Sequence, residues 1–475
     1  MRAYTDPPEW FRDDSKRAFI NLQPASACIW PYEAMYSDDV KNPPGSGQKY
    51  NYNLRLERAK EYFSDLEVDH SLLFYYVNYS NPFSEDESKK YVLVGISRLK
   101  SKGDIIFYDD VSKQNREKYA GGFVWQLPLT SHYPEQGFSI PYHKYRDNLE
   151  VLSKILVLPE NPRCFKYATR PVSDDEAVVI IEQFLESVNT LISISDDTQD
   201  WLARKSWLHS LLGELWHHRG AYPGSIGVLN FLKFYDGIKY YRDAAEAGND
   251  KSAYDKIISF LTGKGTIPGI SSDSKESKEA LRNYKLLRNN QRKLLSEVLP
   301  RIYLSEKQIS NILSSKREEN GIYSEIEDIC ANPYILSEQY VGSDADDYIS
   351  FNTVDNGVLP SPDLGLDPLF TSNSAERFRA LCIDALKKES PHSFVSINRI
   401  IDQVNDRLAI KPDWKKVSFE DTYFEADEDL LSDAMQISKQ GEGKYVYLKS
   451  IYEDERKIQA VIEDLASRPD IKIRI

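Results

Sequence analysis

Basic residues are in deficit along this chain, with 60 Lys and Arg against 74 Asp and Glu in 475 residues and a formal net charge of -14. Non-specific affinity for nucleic acid rests on cations that neutralise phosphates, so this balance argues against a broad nucleic-acid coat and confines any such contact to a local patch. Cysteine is scarce: Cys28, Cys164, Cys330 and Cys382 lie far apart and form no C-x-x-C pair. Neither a disulfide framework nor a zinc site is indicated, and the four read as isolated buried thiols. No apolar run approaches the ~20 residues that a bilayer span needs. The opening MRAYTDPPEW lacks the basic-then-apolar layout of a signal peptide. A cytoplasmic protein without a membrane partner is the expectation. Also missing is a phosphate-binding loop, G-x-x-x-x-G-K-[ST], whose glycines let backbone amides close around phosphate. Gly263-Lys264-Gly265 has Ile258 where the first glycine belongs and Gly265 where the hydroxyl belongs, and reads as a loop.

What the chain does contain is ordinary globular texture, 41% hydrophobic and 28% charged, at a length that suggests about three domains. The fold class expected is α+β multidomain. Residues 1–53 are rich in proline, tyrosine and acid and read as an irregular N-terminal segment. Residues 54–170 open with an amphipathic helix (Leu54, Leu56, Ala59, Tyr62, Phe63, Leu66). The runs SLLFYYVNY, KYVLVGISRL, GDIIFYDD and GGFVWQLPL then read as a small antiparallel sheet or barrel. At 171–261 the texture turns helical: Ser173 to Glu176 has the pattern of a capping box, Gly220 is a candidate stop, and a third helix is expected over 227–247.

From 262 to 345 a linker precedes KEALRNYKLLRNNQRKLLSEVL. Read as one helix, it puts Lys278, Arg282, Lys285, Arg288 and Arg292 on one strip beside apolar Leu281, Tyr284, Leu287 and Leu294. Two short helices follow, the second stopped near Ala331 because Pro333 has no amide hydrogen and drives Asn332 out of helical geometry. After a glycine-, serine- and proline-rich crossing (GSDADD, NTVDNGVLPSPDLG), residues 346–475 offer helices at 375–388 and 396–409 and a hairpin turned at Gly441-Glu442-Gly443. That is the order of a winged helix.

These landmarks, ANPYILSEQYVG, SAERFRALCIDALKKESPHSFVSINRIIDQVNDRL and KYVYLKSIYEDERKIQAVIEDLA, resemble the region just before the motor of bacterial RecD-like (exonuclease V alpha-like) DNA helicases. In that family a helix-hairpin-helix unit meets an Asn-Pro-Tyr element and is followed by a winged helix and a charged helix entering the motor. The likeness covers about the last third of the chain, and the blocks CIWPYEAMY and GGFVWQLPLTSHYPEQGF look like an extension of some long relatives. It implies a DNA-binding accessory region for an ATP-dependent helicase, in DNA repair or phage defence. DNA and a helicase motor, in cis or in trans, would be its partners, with the last helix leading to a motor beyond Ile475. ATP and magnesium would belong to that motor, and no cofactor is expected in this chain.

Candidate DNA contacts are the basic strip and, in the winged helix, Asn398, Arg399, Lys415, Lys416, Lys444 and Tyr445. From Arg301 onward, however, 21 Lys and Arg face 33 Asp and Glu, so an acidic surface that docks a motor without DNA affinity of its own is the alternative. A further reading comes from the aromatic strands, which are similar to small PUA/EVE barrels that hold a flipped or modified base. Tyr75, Tyr76, Asn78, Phe107, Tyr108 and Trp125 would line such a pocket, or else pack as sheet core. The remaining candidates are less specific. His132, His143 and the adjacent His217 and His218 lack a third ligand, and the acidic runs at 85–87 and 109–110 sit in turns, so no catalytic or metal set emerges.

Overall fold

The computed structural model describes residues 25–29, 31, 34, 37–46, 50–78, 81–83, 91–109, 123–160, 169–343, 347–388, 392–441 and 443–468. The architecture is mixed α+β in two compact units, 1–173 with 183–211 and 174–182 with 212–475. Each long helix at 174–219 therefore contributes to both.

The first unit contains β1 (Ser26–Ile29), α1 (Tyr52–Tyr62), β2 (Leu72–Val77), β3 (Val92–Lys102), β4 (Ile106–Asp109), β5 (Phe123–Ser131), β6 (Gly137–Ser139), α2 (Tyr142–Tyr145) and α3 (Leu149–Ile155). It also takes most of α4 (Asp174–Ser193) and the front of α5 (Trp201–Arg219). The strands form a curled antiparallel half-barrel in the order β1-β5-β3-β2, with β4 on β5 and β6 on β3. The long β3 makes this curl by pairing with three strands. Its register slips once against β2, at Tyr75/Tyr76, and once against β5, between Leu99 and Ser101, and such bulges bend a strand. Leu99, Leu127 and Leu129 pack inside against Phe63 of α1. Phe138 meets Phe184, Trp201 and Trp207 edge to face at centroid distances of 5.6, 6.0 and 6.2 Å.

The second unit begins with the remaining turns of α4 and α5. Gly220 ends α5 in the left-handed region at φ +67°, as its place in the sequence suggests. The helix expected over 227–247 is instead two, α6 (Ser225–Phe231) and α7 (Tyr235–Glu246), separated by Lys233 at φ +58°. Then come α8 (Asp250–Leu261), α9 (Lys275–Leu286), α10 (Asn289–Lys293), a π-helical turn at Leu294–Val298 and a 3-10 turn at Leu299–Arg301. Next are α11 (Glu306–Leu313), α12 (Ile326–Ala331) and α13 (Ile335–Gln339). Helix α12 stops at Ala331, where Asn332 turns to ψ 90° ahead of the proline.

The stretch NTVDNGV, read as a crossing, is helix α14 (Phe351–Val358), and all but one of its residues are buried. Its glycine is there for close approach rather than as a breaker. A Cβ on Gly357 would lie 2.7 Å from the Arg301 carbonyl oxygen. The chain ends with α15 (Ala375–Lys388), β7 (Phe394–Ser396), α16 (Ile397–Ala409), α17 (Tyr423–Ala426), α18 (Glu428–Ser432), β8 (Met435–Gln440), β9 (Gly443–Leu448) and α19 (Lys449–Ser467). Strands β7, β9 and β8 make a small antiparallel sheet in that order. One apolar core runs through the unit, from Val228 in α6 to Val446 in β9. No helix among the described residues is long and apolar enough to cross a membrane.

Candidate nucleic-acid interface

The basic strip does not lie on one helix. Leu287 and Arg288 are extended, at ψ 146° and 162°, and divide α9 from α10. Gln291 latches this break: its side-chain oxygen accepts from the Arg288 amide at 2.9 Å, and its side-chain nitrogen donates to the Leu313 carbonyl at 3.0 Å. The leucine-rich continuation then widens into the π turn, with Leu294, Leu295 and Val298 in the core, and the Ser296 carbonyl, which Pro300 cannot serve for want of an amide hydrogen, accepts from the Tyr254 hydroxyl at 3.1 Å. Such single π turns recur at functional sites.

The break and the π turn leave a depression of about 460 Å³ between the end of α8 and the α9–α10 corner. Ile258 and Leu261 give it an apolar wall, and Lys285, Arg292, Lys293, Ser296 and Glu297 give it polar groups. Three cations against one carboxylate is a local positive excess in an acidic chain. The Arg292 guanidinium lies 6.0 Å from the centroid of the buried Tyr284 ring and donates to the Asn289 side chain, which pins it at the rim. Lys285, Arg288 and Lys293 are exposed, and no ion pair engages them among the described residues. The depression thus gathers three cations and one carboxylate, and among the described contacts Arg292 alone is held in place at its rim.

The other members of the strip stand apart from this corner. Lys278, on the first turns of α9, pairs with Asp273 at 3.2 Å, and Arg282 is exposed between the two ends. Lys293 and Ser296 were not singled out from the sequence, although a regular helix would also set Ser296 on this face, four residues beyond Arg292.

The C-terminal candidates are dispersed. Asn398 and Arg399 are exposed on the first turn of α16, and Ser396 just before them pairs in register with Tyr445 on β9. Tyr445 packs its ring edge-on against Phe394 at 5.4 Å. Lys444 is held by Glu425 at 2.6 Å and Lys416 by Asp413 at 3.3 Å.

Lys415 is the clear correction: it is buried and bonds to Asp355 at 3.0 Å and Asn356 at 2.6 Å. It belongs to an internal ionic network. Asp355 also receives Arg377 at 2.8 Å and the Tyr334 hydroxyl at 2.8 Å. Asn356 donates to Asp175 at 2.8 Å, Arg219 pairs with the same carboxylate at 2.6 Å, and Lys411 joins Glu182 at 2.6 Å to Asn352 at 3.1 Å. Burial alone would raise the Asp355 pKa, but the Arg377 and Lys415 charges outweigh it and hold the carboxyl far below the usual range. Every member of this cluster is buried, so it offers no exposed face to a ligand.

In the first unit the Tyr75 hydroxyl is tied to Ser97 at 2.7 Å, while Tyr76 packs on Tyr91 at 5.9 Å and its phenol is raised chiefly by burial. Asn78 is exposed at the end of β2. Phe107 stands opposite Trp125, and Tyr108 opposite Val124, in the β4–β5 register, but the side chains of Phe107, Tyr108 and Trp125 lie outside what is described. Tyr75 therefore spends its polar end on a neighbouring strand. The histidines take ordinary partners, His132 with Asp69 at 2.6 Å and His218 with Asp174 at 2.8 Å. No cluster of three His, Cys, Asp or Glu suited to a metal occurs among the described residues.

No family model matches this chain, and no solved structure does. The chain is similar to an uncharacterized protein of Methanocaldococcus jannaschii, at 23% identity over 436 residues that take in 81% of this chain and 34% of that protein. It spans about a third of that relative's length.

Proposed function

We propose that this chain is a DNA-engaging accessory region that positions a strand for an ATP-dependent, RecD-like helicase motor supplied in cis or in trans. The observation that carries the reading is the depression at the α9–α10 corner, where Lys285, Arg292 and Lys293 meet beside the short helices α11 and α12. Phosphate contacts of this kind fix register and orientation without reading bases. The order that follows lends support: α11 and α12, the stop at Asn332-Pro333, α15, α16 and the β8–β9 hairpin succeed one another as a helix-hairpin-helix unit and a winged helix would. ATP and magnesium belong to the motor, and this chain's part is to hold phosphates.

The test is fluorescence anisotropy with single-stranded, duplex and forked DNA across a salt series, for the wild type and for the combined Lys285→Ala, Arg292→Ala and Lys293→Ala variant. Binding should weaken steeply with salt, and the variant should lower the slope of log affinity on log salt by about 2 to 3, one increment per lost phosphate contact. Absence of binding to any form at low salt would sink the proposal in favour of a motor-docking scaffold. Binding of modified nucleotides alone, with plain DNA ignored, would favour a base reader built on the curled sheet of the first unit.

A further inference from the structure

We infer that the outer face of α19 is a self-association surface on which a second copy of this chain packs antiparallel. This rests on observations independent of the DNA reading. Helix α19 leans on the rest of its unit only at its start, where the Tyr452 ring meets Tyr447 at 5.3 Å, and every residue from Glu453 to Arg468 is exposed. Ile458, Val461, Ile462 and Leu465 are nonetheless 60, 57, 59 and 55% exposed, and their spacing of three, one and three puts them on one face. A helix this short and uncovered is marginal in water, and an aliphatic stripe along it is the usual mark of a partner helix.

The charges beside the stripe select the partner. With Ile451, Ile458 and Leu465 at the first position of a heptad, Asp454 and Val461 fall at the fourth and Lys457 and Asp464 at the seventh. In an antiparallel pair the seventh positions face one another. Lys457 then meets the partner's Asp464, and the two-fold axis repeats the contact, as an isologous interface requires. Ile458 packs beside the partner's Val461. A parallel pair would set Asp454 against the partner's Asp454 in the seam and leave Lys457 facing Ile462 of the partner subunit. The antiparallel pair instead sets Asp454 beside Leu465 of the partner subunit and lets Lys457 and Asp464, which pair within the helix with Asp454 at 2.9 Å and Arg468 at 2.6 Å, reach each other across the axis. The reverse pairing therefore separates the like charges that the parallel pairing stacks in the seam, and adds two ion pairs that the parallel one lacks. Four aliphatic side chains expose on the order of 400 Å² per copy, about half of what a standard stable interface buries per partner. The association is accordingly weak, with a dissociation constant on the order of 100 µM.

Sedimentation velocity of the full chain from about 5 to 500 µM, a range that brackets this constant, is the test. A concentration-dependent monomer–dimer equilibrium is expected. Ile458→Asp with Ile462→Asp should weaken it ~100-fold by placing charge in an apolar seam. Both residues are exposed, and circular dichroism of the variant should match the wild type. Lys457→Asp alone should weaken the dimer ~5-fold, and adding Asp464→Lys should return it to within about twofold of wild type, because the reversal restores both symmetric pairs. A chain that stays monomeric throughout would overturn the inference and assign the stripe to a different protein surface. A dimer indifferent to the aspartate pair, or one that the double reversal fails to restore, would overturn it as well.

Discussion

Among the described contacts, the two units hold their buried cations differently. In the first, the buried Arg98 donates to the carbonyls of Asp69 at 3.0 Å and His70 at 3.4 Å, and the buried Arg55 lies over the Tyr50 ring at 5.5 Å. In the second, Arg377 and Lys415 share Asp355, Arg219 rests on Asp175, Lys411 on Glu182 and Arg379 on Glu338. A carbonyl cannot be mutated away and carries only a partial charge. A buried carboxylate can be lost, and each one here neutralises at least one full cation, so the ionic core of the second unit is brittle.

The sharpest way to break that contrast is Asp355→Asn. It leaves Arg377 and Lys415 buried without their counter-charge and should cost the second unit about 3 to 5 kcal/mol, while the first unit keeps its protection. Hydrogen exchange read by peptide separates the two. The same group sets the acid response. Its folded pKa is depressed, so the stability it adds is complete above the unfolded value of about 3.9 and is lost as pH falls below it. Protection of the second unit should therefore fall between about pH 4 and pH 2, and Asp355→Asn should flatten that fall. Equal losses in both units at acid pH would remove the contrast.

Next in size is Gly357→Ala. The added Cβ meets the Arg301 carbonyl and the Ile302 side chain, so α14 must shift, at about 1 to 3 kcal/mol by overpacking. The midpoint of denaturant unfolding should drop with unchanged slope. A neutral result would mean that α14 has room to give.

Helix α14 also marks where the sequence ceased to be legible. The bounds of α15, those of α16 to within one residue, and the stop at Ala331 could all be read, because apolar spacing and backbone chemistry act locally. Polar residues with glycine read as a loop on the same logic, and there the logic fails. Asn352, Asp355 and Asn356 are polar because their neighbours are buried cations, and Gly357 is small because backbone passes against it. Those cations lie far off in sequence, 59 residues for Asn352 and Lys411 and 60 for Asp355 and Lys415, and the carboxylate that Asn356 serves, Asp175, is 181 away. Lys415 was misread as a DNA contact for that reason. The corner at Arg288 was hidden too, since a Gln side chain and not a proline or glycine makes it.

A smaller effect is expected from Asp196, a buried carboxylate of the first unit. Asp196 has a side chain closed off from solvent and takes hydrogen bonds from the Trp201 indole at 2.8 Å and the Thr198 amide at 2.9 Å as well as from Lys144 at 2.8 Å. Lys144 itself is partly exposed and can turn to water when its partner is neutralised. Asp196→Asn should therefore cost about 1 to 2 kcal/mol, the scale of charged hydrogen bonds and not of an orphaned buried ion. Thermal unfolding resolved by unit would measure it. A loss as large as that of Asp355→Asn would show that exposure of the cation does not matter, and the contrast between the units would need another cause.

The smallest effect on stability is expected where the largest effect on function is proposed. Lys285 and Lys293 are exposed, and no ion pair engages them among the described residues. Changing both to alanine removes no partner and opens no cavity, so unfolding should move by no more than about 0.5 kcal/mol. A slight gain is the direction to look for, since the substitutions relieve crowding of like charge with Arg292 at the same depression. If DNA affinity falls while stability holds, the cations at the α9–α10 corner are retained for a ligand and not for the fold, in contrast to Arg377 and Lys415 deeper in the same unit. If stability falls with affinity, the corner belongs to the same structural economy as the ionic network, and its charge is no longer an argument for DNA.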